Sequence, residues 1–408
     1  MINSYKTIGN AGEAYNILVG LLVNPQHRII ILLIKKWKLR FADVQRTCSL
    51  LVAKKNIMAD LGNYTVCVTG GAGFIGSSIV KKLLDKGHNV RTTLRNLSDE
   101  NKVGLLKKLE GAETRLELFQ ADIYKPDEFD VVIKGCHFVF HVATPLLHST
   151  ENSHQYKNTT EAAIEGAKSI GESCIQSGTV RRLIYTASVV SASPLKEDGS
   201  GYKDVIDESC WTPLGHRFPY ANDFVEAYID SKSLSEKEIL KFGDKNVNGG
   251  VEFEAVSLTC GLVGGDTILS YLPDSTGILA SHPTVIPNHD PKHQTLKFLD
   301  AVVGKVPIVH IEDIVDAHVF CMEQASVNGR YLCANGYVTV NEIREYFRQY
   351  HPDLTIAREQ ESEGDEKLER KIHWGSTKLN DLGFVYKCNV KRTLDDSVKC
   401  AQRFGDIN

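Results

Sequence analysis

Thr69-Gly70-Gly71-Ala72-Gly73-Phe74-Ile75-Gly76 lies between a short β-branched run, residues 64–69, and an apolar stripe of Ile75, Ile79, Leu83 and Leu84 that Gly87 ends. It reads as GxGxxG through Gly71, Gly73 and Gly76, and as GxxGxxG from Gly70. Glycines cluster in ordinary turns, so the spacing alone says little. A strand before it and a helix after it supply the context in which such a loop holds a dinucleotide pyrophosphate. One glycine permits the turn, one lets the backbone approach the phosphates, and one lets the helix lie close to the strand. The first N–H groups of the helix, those of Phe74 and Ile75 among them, then face the anion.

The alternation continues outward from this loop. Apolar, β-branched runs predict strands at 64–69, 90–94, 116–120, 138–142, 183–186 and 253–258. Helical periodicity predicts helices at 74–86, 99–109, 161–177 and 220–242, with an amphipathic helix at 390–404. Strands alternating with helices imply an α/β fold, a doubly wound Rossmann-type parallel sheet. We expect it to occupy 64–258, with a smaller C-terminal substrate lobe formed mainly by 259–408. The acidic run 359–369 reads as a solvated loop.

Residues 1–57 stand apart. They carry nine Lys/Arg and two acids, whereas the rest has a net charge of -11. Such asymmetry marks a tail or targeting segment. The two apolar runs, 17–23 and 29–34, fall well short of the roughly 20 residues that span a bilayer. The extension reads as upstream sequence added by a gene model, or as a transit segment, with Met58 a natural start.

The end of the second strand bears on cofactor choice. NAD enzymes place an acid there for the ribose 2′-OH. This chain has Thr92-Thr93-Leu94-Arg95-Asn96, with no carboxylate. Arg95 suits a 2′-phosphate through charge-assisted hydrogen bonds, and Lys102 adds a second cation. The expected cofactor is therefore NADP(H).

Reduction of a carbonyl needs a proton donor at the oxygen. A tyrosine serves if a nearby ammonium lowers its pKa from about 10. Residues four apart share a helix face. Of the fifteen tyrosines only Tyr228 has a lysine four residues on, Lys232. The pair falls on the helix after the fifth strand, whose carboxyl end carries Ser188, and ligands bind at such strand ends. Ser188 supplies a second hydrogen bond to the carbonyl, and Lys232 also reaches the nicotinamide ribose.

These segments resemble the extended short-chain dehydrogenase/reductases, and within them the plant dihydroflavonol 4-reductase and anthocyanidin reductase family. The resemblance runs from about residue 65 to the C-terminus. It rests on Val68 to Gly76, Gln120-Ala121-Asp122, Phe140-His141-Val142-Ala143-Thr144-Pro145, Asp207-Glu208-Ser209-Cys210-Trp211, the Tyr228/Lys232 pair and Val309-His310-Ile311-Glu312-Asp313. Within it the chain looks most like the HC-toxin reductase branch, through segments such as Gly201-Tyr202-Lys203-Asp204. The resemblance implies a catalytic Ser188–Tyr228–Lys232 triad. It also implies cofactor contacts from Asp122 and Ile123 near adenine, and from Val142, Ala143, Thr144, Tyr228 and Lys232. Two departures stand out. Ser193, expected to line the substrate side with Ser188 and Tyr228, occupies the position at which dihydroflavonol reductases carry an Asn or Asp and is too short for the same contact. Thr259 replaces a proline and is expected to alter the nicotinamide end of the pocket. The signature of cinnamoyl-CoA reductases around the tyrosine is absent, which argues against a CoA thioester.

Composition excludes other classes. A net charge of -4 leaves no electrostatic footprint for nucleic acid. Ten cysteines without a CxxC pair give neither a zinc cage nor a secreted disulfide framework. His310 is expected to cap or pack and not to bind metal. The expected activity is NADPH-dependent reduction of a carbonyl on a bulky metabolite, flavonoid-type or an HC-toxin-like cyclic peptide, by a cytoplasmic monomer without a membrane span. The loop 192–217 is expected to close over the substrate. An NAD-retaining epimerase or dehydratase and a non-catalytic NADP-binding regulatory protein are the alternatives.

Overall fold

The structure, a computed structural model, describes residues 63–145, 156–198, 200–243, 253–281, 291–352, 354 and 371–407. The extension 1–57 and the acidic run 359–369 lie outside the described residues.

Seven parallel strands form the main sheet: β1 (Thr65–Thr69), β2 (Asn89–Leu94), β3 (Leu116–Gln120), β4 (Phe138–His141), β5 (Arg182–Ser188), β7 (Glu254–Cys260) and β10 (Gly329–Cys333). Between them in sequence fall β6 (Val205–Ile206), β8 (Leu262–Gly264) and β9 (Val306–His310). The order in the sheet is β10-β7-β5-β4-β1-β2-β3. The chain therefore reverses direction of travel between β1 and β4, where a doubly wound sheet opens its ligand crevice.

Helices cover both faces. We number them α1 (Phe74–Asp85), α2 (Glu100–Lys107), α3 (Glu128–Ile133), α4 (Thr159–Ser177), α5 (Asp223–Gly243), α6 (Asp274–Ala280), α7 (Pro291–Val303), α8 (Ile311–Glu323), α9 (Val340–Tyr350) and α10 (Val390–Arg403). On one face α1 and α8 pack together over Val66, Val68, Phe140, Ile184 and Val256. On the other, α3, α4 and α5 cover Cys67, Val139, Leu183 and Ala255. Alternate residues of each strand thus feed opposite cores, as the period of two demands. Helix ends follow their caps. Asn158 accepts from the Glu161 N–H at 2.9 Å, so α4 starts two residues before the expected 161. The helix expected from 220 begins only at Asp223, because Tyr220 has φ of 63°, outside any right-handed helix.

A third core gathers α7, α9, α10, β9 and the turn after β5, with Leu296, Phe298, Val302, Ile308, Phe347 and Leu394 at its centre. Here β8 and β9 pair in parallel, and β9 pairs antiparallel with β11 (Gly336–Val338). The division expected at 258/259 is not a clean cut. The chain leaves the main sheet after β7, then returns to add α8 to one face and β10 to the edge beside β7. The loop 192–217 is anchored: β6 pairs with β12 (His373–Trp374), and Tyr202 bonds the Ala301 carbonyl of α7. Among the described residues no helix is long and apolar enough to cross a membrane. The nine described cysteines are all unpaired and buried.

Candidate active site

A cleft of about 660 Å³ opens at the carboxyl ends of β1, β2 and β4. Its lining includes Gly70, Gly73, Arg95, Lys102, Asp122, Ile123, Ala143 and Thr144. The glycine loop builds its floor. Gly70 has φ of +70°, which a side chain resists, and its carbonyl lies 2.3 Å from where a Cβ on Gly76 would sit. A Cβ at Gly73 would meet nothing closer than 3.4 Å, so this glycine leaves the mouth of the loop open. Gly71 donates to the Thr93 carbonyl at 3.1 Å, which ties the loop to β2. Phe74 and Ile75 open α1, and neither a side-chain cap nor an acid occupies its first turn. Backbone N–H groups there are left for an anion.

Arg95 is exposed at the tip of β2. Lys102 lines the same cleft, but its Nζ lies 3.1 Å from Asp99, which also caps α2 by accepting the Lys102 N–H. These contacts hold the Asp99 carboxyl below the usual carboxylate range. The second cation thus comes with its own counterion. Asp122 folds its carboxylate onto the Tyr124 N–H at 3.1 Å, and Ile123 is buried against Gly166 of α4. This open site, with an uncapped helix end and an arginine where NAD enzymes carry an acid, fits a phosphorylated dinucleotide.

The loop after β4 is set by a buried relay. Thr69 Oγ1 accepts from the N–H groups of Val142 and Ala143, each at 3.0 Å. Its own proton is then directed to His141 Nδ1, also 3.0 Å away. Burial, with a smaller contribution from Lys232, pushes His141 down to about 3 and keeps it neutral. Val142 is held by its backbone and is absent from the cleft lining, while Ala143 and Thr144 reach it.

Ser188, Tyr228 and Lys232 come together at the next strand end. Ser188 closes β5 and caps the 3₁₀ turn Val189–Ser191. Tyr228, half-buried on α5, is hydrogen-bonded by the Ser188 hydroxyl. Lys232 is buried one turn further, its Nζ 2.7 Å from the Thr186 carbonyl, 3.2 Å from Thr144 Oγ1 and 4.7 Å from the centre of the Tyr185 ring. The electrostatics differ from expectation. Burial raises Tyr228 above its ordinary value, with the Ser188 hydrogen bond only partly opposing it. Two of the three Lys232 donors go to Thr186 and Thr144. Burial pushes Lys232 itself down to about 8, and the Glu236 carboxylate is among the groups that resist this.

Two expectations about the pocket wall are corrected. Ser193 is fully buried and donates to the Val302 carbonyl, while accepting the Leu195 N–H at 3.0 Å. It is too short to reach out and fixes the loop to α7, so it does not face the cleft. Thr259 is likewise fully buried and donates to Glu236 at 2.6 Å, away from the cleft. His310 caps α8, its Nδ1 accepting the Glu312 N–H at 3.2 Å. That leaves the ring proton on Nε2, 3.4 Å from Asp396. Glu312 and Cys388 lie near it, but Arg392 already supplies the cation at Glu312, at 2.6 Å.

Sequence reasoning missed the buried Glu236–Arg330 pair under this site. One signal was present: Glu236 stands four residues after Lys232, on the same face of a helix. Nothing local marked Arg330, in the strand Gly329–Cys333.

Comparison with known proteins adds the following. Residues 67–276 match the 3-beta hydroxysteroid dehydrogenase/isomerase family. The chain is 31% identical to an anthocyanidin reductase ((2S)-flavan-3-ol-forming) of Vitis vinifera over 339 residues, 83% of this chain and 95% of that one. It is 32% identical to a dihydroflavonol 4-reductase of Arabidopsis thaliana over 84% of this chain and 83% of that one. The crystal structure of vestitone reductase from alfalfa (Medicago sativa) superposes with a TM-score of 0.65 at 31% identity, covering 84% of this chain and 99% of that one.

Proposed function

Because this chain belongs to the 3-beta hydroxysteroid dehydrogenase/isomerase family, among the extended short-chain dehydrogenase/reductases, we propose that it is an NADPH-dependent carbonyl reductase. The observation that carries this reading is the meeting of Ser188, Tyr228 and Lys232 beside the cleft of the glycine loop. When bound, NADPH supplies a hydride to the carbonyl carbon. Gly70, Gly71, Gly73 and Gly76 with the start of α1 hold its pyrophosphate, Arg95 and Lys102 its 2′-phosphate, and Lys232 its nicotinamide ribose. Asp122, Ile123, Ala143 and Thr144 flank it, with Val142 holding the loop behind.

Tyr228 gives its phenolic proton to the carbonyl oxygen, and Ser188 donates a hydrogen bond to the same oxygen. The raised pKa of Tyr228 keeps the proton on the ring at neutral pH until the oxygen becomes basic enough to take it. The substrate is a bulky carbonyl metabolite, flavonoid-type, or a cyclic peptide of the HC-toxin kind. The names of the relatives support the flavonoid side, as anthocyanidin, dihydroflavonol and vestitone reductases. Buried, unpaired thiols support a reducing, cytoplasmic setting. We take the working form to be a monomer.

The test is NADPH oxidation over a panel of dihydroquercetin, cyanidin, vestitone, cinnamoyl-CoA and an epoxy-keto cyclic peptide. At least one should be reduced. Tyr228→Phe should lose roughly 10²–10⁴-fold in kcat while still binding NADPH. A variant retaining more than about a tenth of wild-type kcat removes Tyr228 from the role.

A further inference from the structure

Behind the catalytic residues lies a second buried layer. Arg330 on β10 and Glu236 on α5 are 5% and 0% exposed, and Arg330 Nε donates to Glu236 Oε1 at 2.9 Å. The same guanidinium spends its other donors on backbone carbonyls, on the Ser191 hydroxyl and on the second oxygen of Glu236. One terminal nitrogen bonds the carbonyls of Glu208 and Cys210. The other bonds the Ser191 carbonyl at 3.1 Å and Glu236 Oε2 at 3.2 Å. Its plane lies 3.7 Å from the centre of the Trp211 ring. Glu236 also accepts from the hydroxyls of Ser257 and Thr259 on β7, each at 2.6 Å, and from Ser191.

These bonds join three pieces of chain that must agree for proton transfer. Ser191 ends the 3₁₀ turn that Ser188 begins, and its hydroxyl lies 2.8 Å from the Ser188 carbonyl. Glu236 sits one turn beyond Lys232 and two beyond Tyr228 on one helix face. Residues 208–211 belong to the loop between serine and tyrosine. A lysine offers three donors on a flexible stem and no plane to stack, so it cannot make this set.

We propose that Arg330, seated on Glu236, is a positioning residue that sets Ser188 against Tyr228 by fixing the turn after β5 to α5. It touches neither cofactor nor substrate and acts through Ser191. The inference rests on the reductase reading above. A displacement of about 1 Å at a reacting group costs on the order of 10²-fold in rate.

The experiment compares wild type, Arg330→Lys and Ser191→Ala, using the member of the panel that the wild type reduces. Folding is checked by circular dichroism and NADPH affinity by fluorescence. We expect Arg330→Lys to lose about tenfold or more in kcat, with KM and NADPH Kd within about threefold of wild type. Ser191→Ala should lose about threefold or more with the same split. If Arg330→Lys does not fold, Ser191→Ala decides alone. A smaller loss in kcat, or a matching loss in NADPH affinity, overturns the positioning role. A wild type that reduces nothing on the panel overturns the reductase reading and this inference with it.

Discussion

Lys232→Met should make the protein more stable near neutrality while removing its activity. Lys232 is 3% exposed, and burial lowers its pKa from 10.5 to about 8. The gap between those values is worth about 3 kcal/mol of preference for the neutral amine. The folded pKa lies below the unfolded one, so between pH 8 and 10.5 the unfolded chain holds a proton that the folded chain has released. Wild-type stability therefore rises with pH across that window, and the full cost of the buried ammonium is felt below pH 8. Methionine removes this cost but forfeits the bonds to Thr186 and Thr144, about 1 kcal/mol each. The net gain near pH 7 is then about 1 kcal/mol, and the order of stability reverses by pH 10.

The swing is more telling than either end point. It amounts to about 2–3 kcal/mol between pH 7 and pH 10. An unfolding entropy of about 2.1 cal/mol/K per residue gives roughly 0.7 kcal/mol/K for a unit of this size, so the difference in Tm should move by about 3–4 °C. Calorimetry on both proteins at the two pH values measures it, since other titrating groups cancel in the difference. A Tm difference that stays constant with pH would refute the reasoning, because the ammonium would then carry no desolvation cost.

Two further outcomes are expected. Arg95→Asp should shrink or invert the preference for NADPH by about one to two decades in kcat/KM, with NADH use surviving, because it replaces the cation for the 2′-phosphate by a repulsive charge; an unchanged ratio of the two cofactors would dismiss the assignment. Gly76→Ala would put a methyl group 2.3 Å from the Gly70 carbonyl, so the loop must shift and NADPH affinity should fall by at least tenfold in a fluorescence titration, whereas Gly104→Ala, which meets nothing within 4 Å, should leave it unchanged.

The elements legible in the sequence are those whose signal is local. The glycine loop, the β-branched run before it and the stripe after it decided the first βαβ unit. The place of the Tyr228/Lys232 pair, on the helix after the strand that ends in Ser188, pointed to the site proposed for the chemistry. What escaped is long-range. Arg330 lies 94 residues from Glu236, and neither residue alone announces a buried pair. Thr69 and His141 are 72 residues apart and meet only because β1 and β4 are neighbours. Ser193 was placed at the substrate by the resemblance, yet the 3₁₀ turn after Ser188 leads that stretch inward onto α7. The lysine's effect on Tyr228 was read from charge alone, while burial raises the phenol above its ordinary value. Helix boundaries were missed wherever an Asn158-type cap or a left-handed residue such as Tyr220 moved them.

The place of β10 bears on how the chain is made. A ribosome releases β7 long before Gly329–Cys333 emerges, and until then β7 is the bare edge of the sheet. At about 5–20 residues per second that interval lasts several seconds to over ten. Through it the nascent protein presents an unpaired, apolar strand to its neighbours, the geometry that invites intermolecular pairing. The sheet can close only after the segment supplying β8, β9 and α8 has been synthesised, so assembly cannot simply run from the N-terminus to the C-terminus. Slow translation, or a release that leaves the chain short of residue 333, should therefore yield aggregate and not a smaller working enzyme.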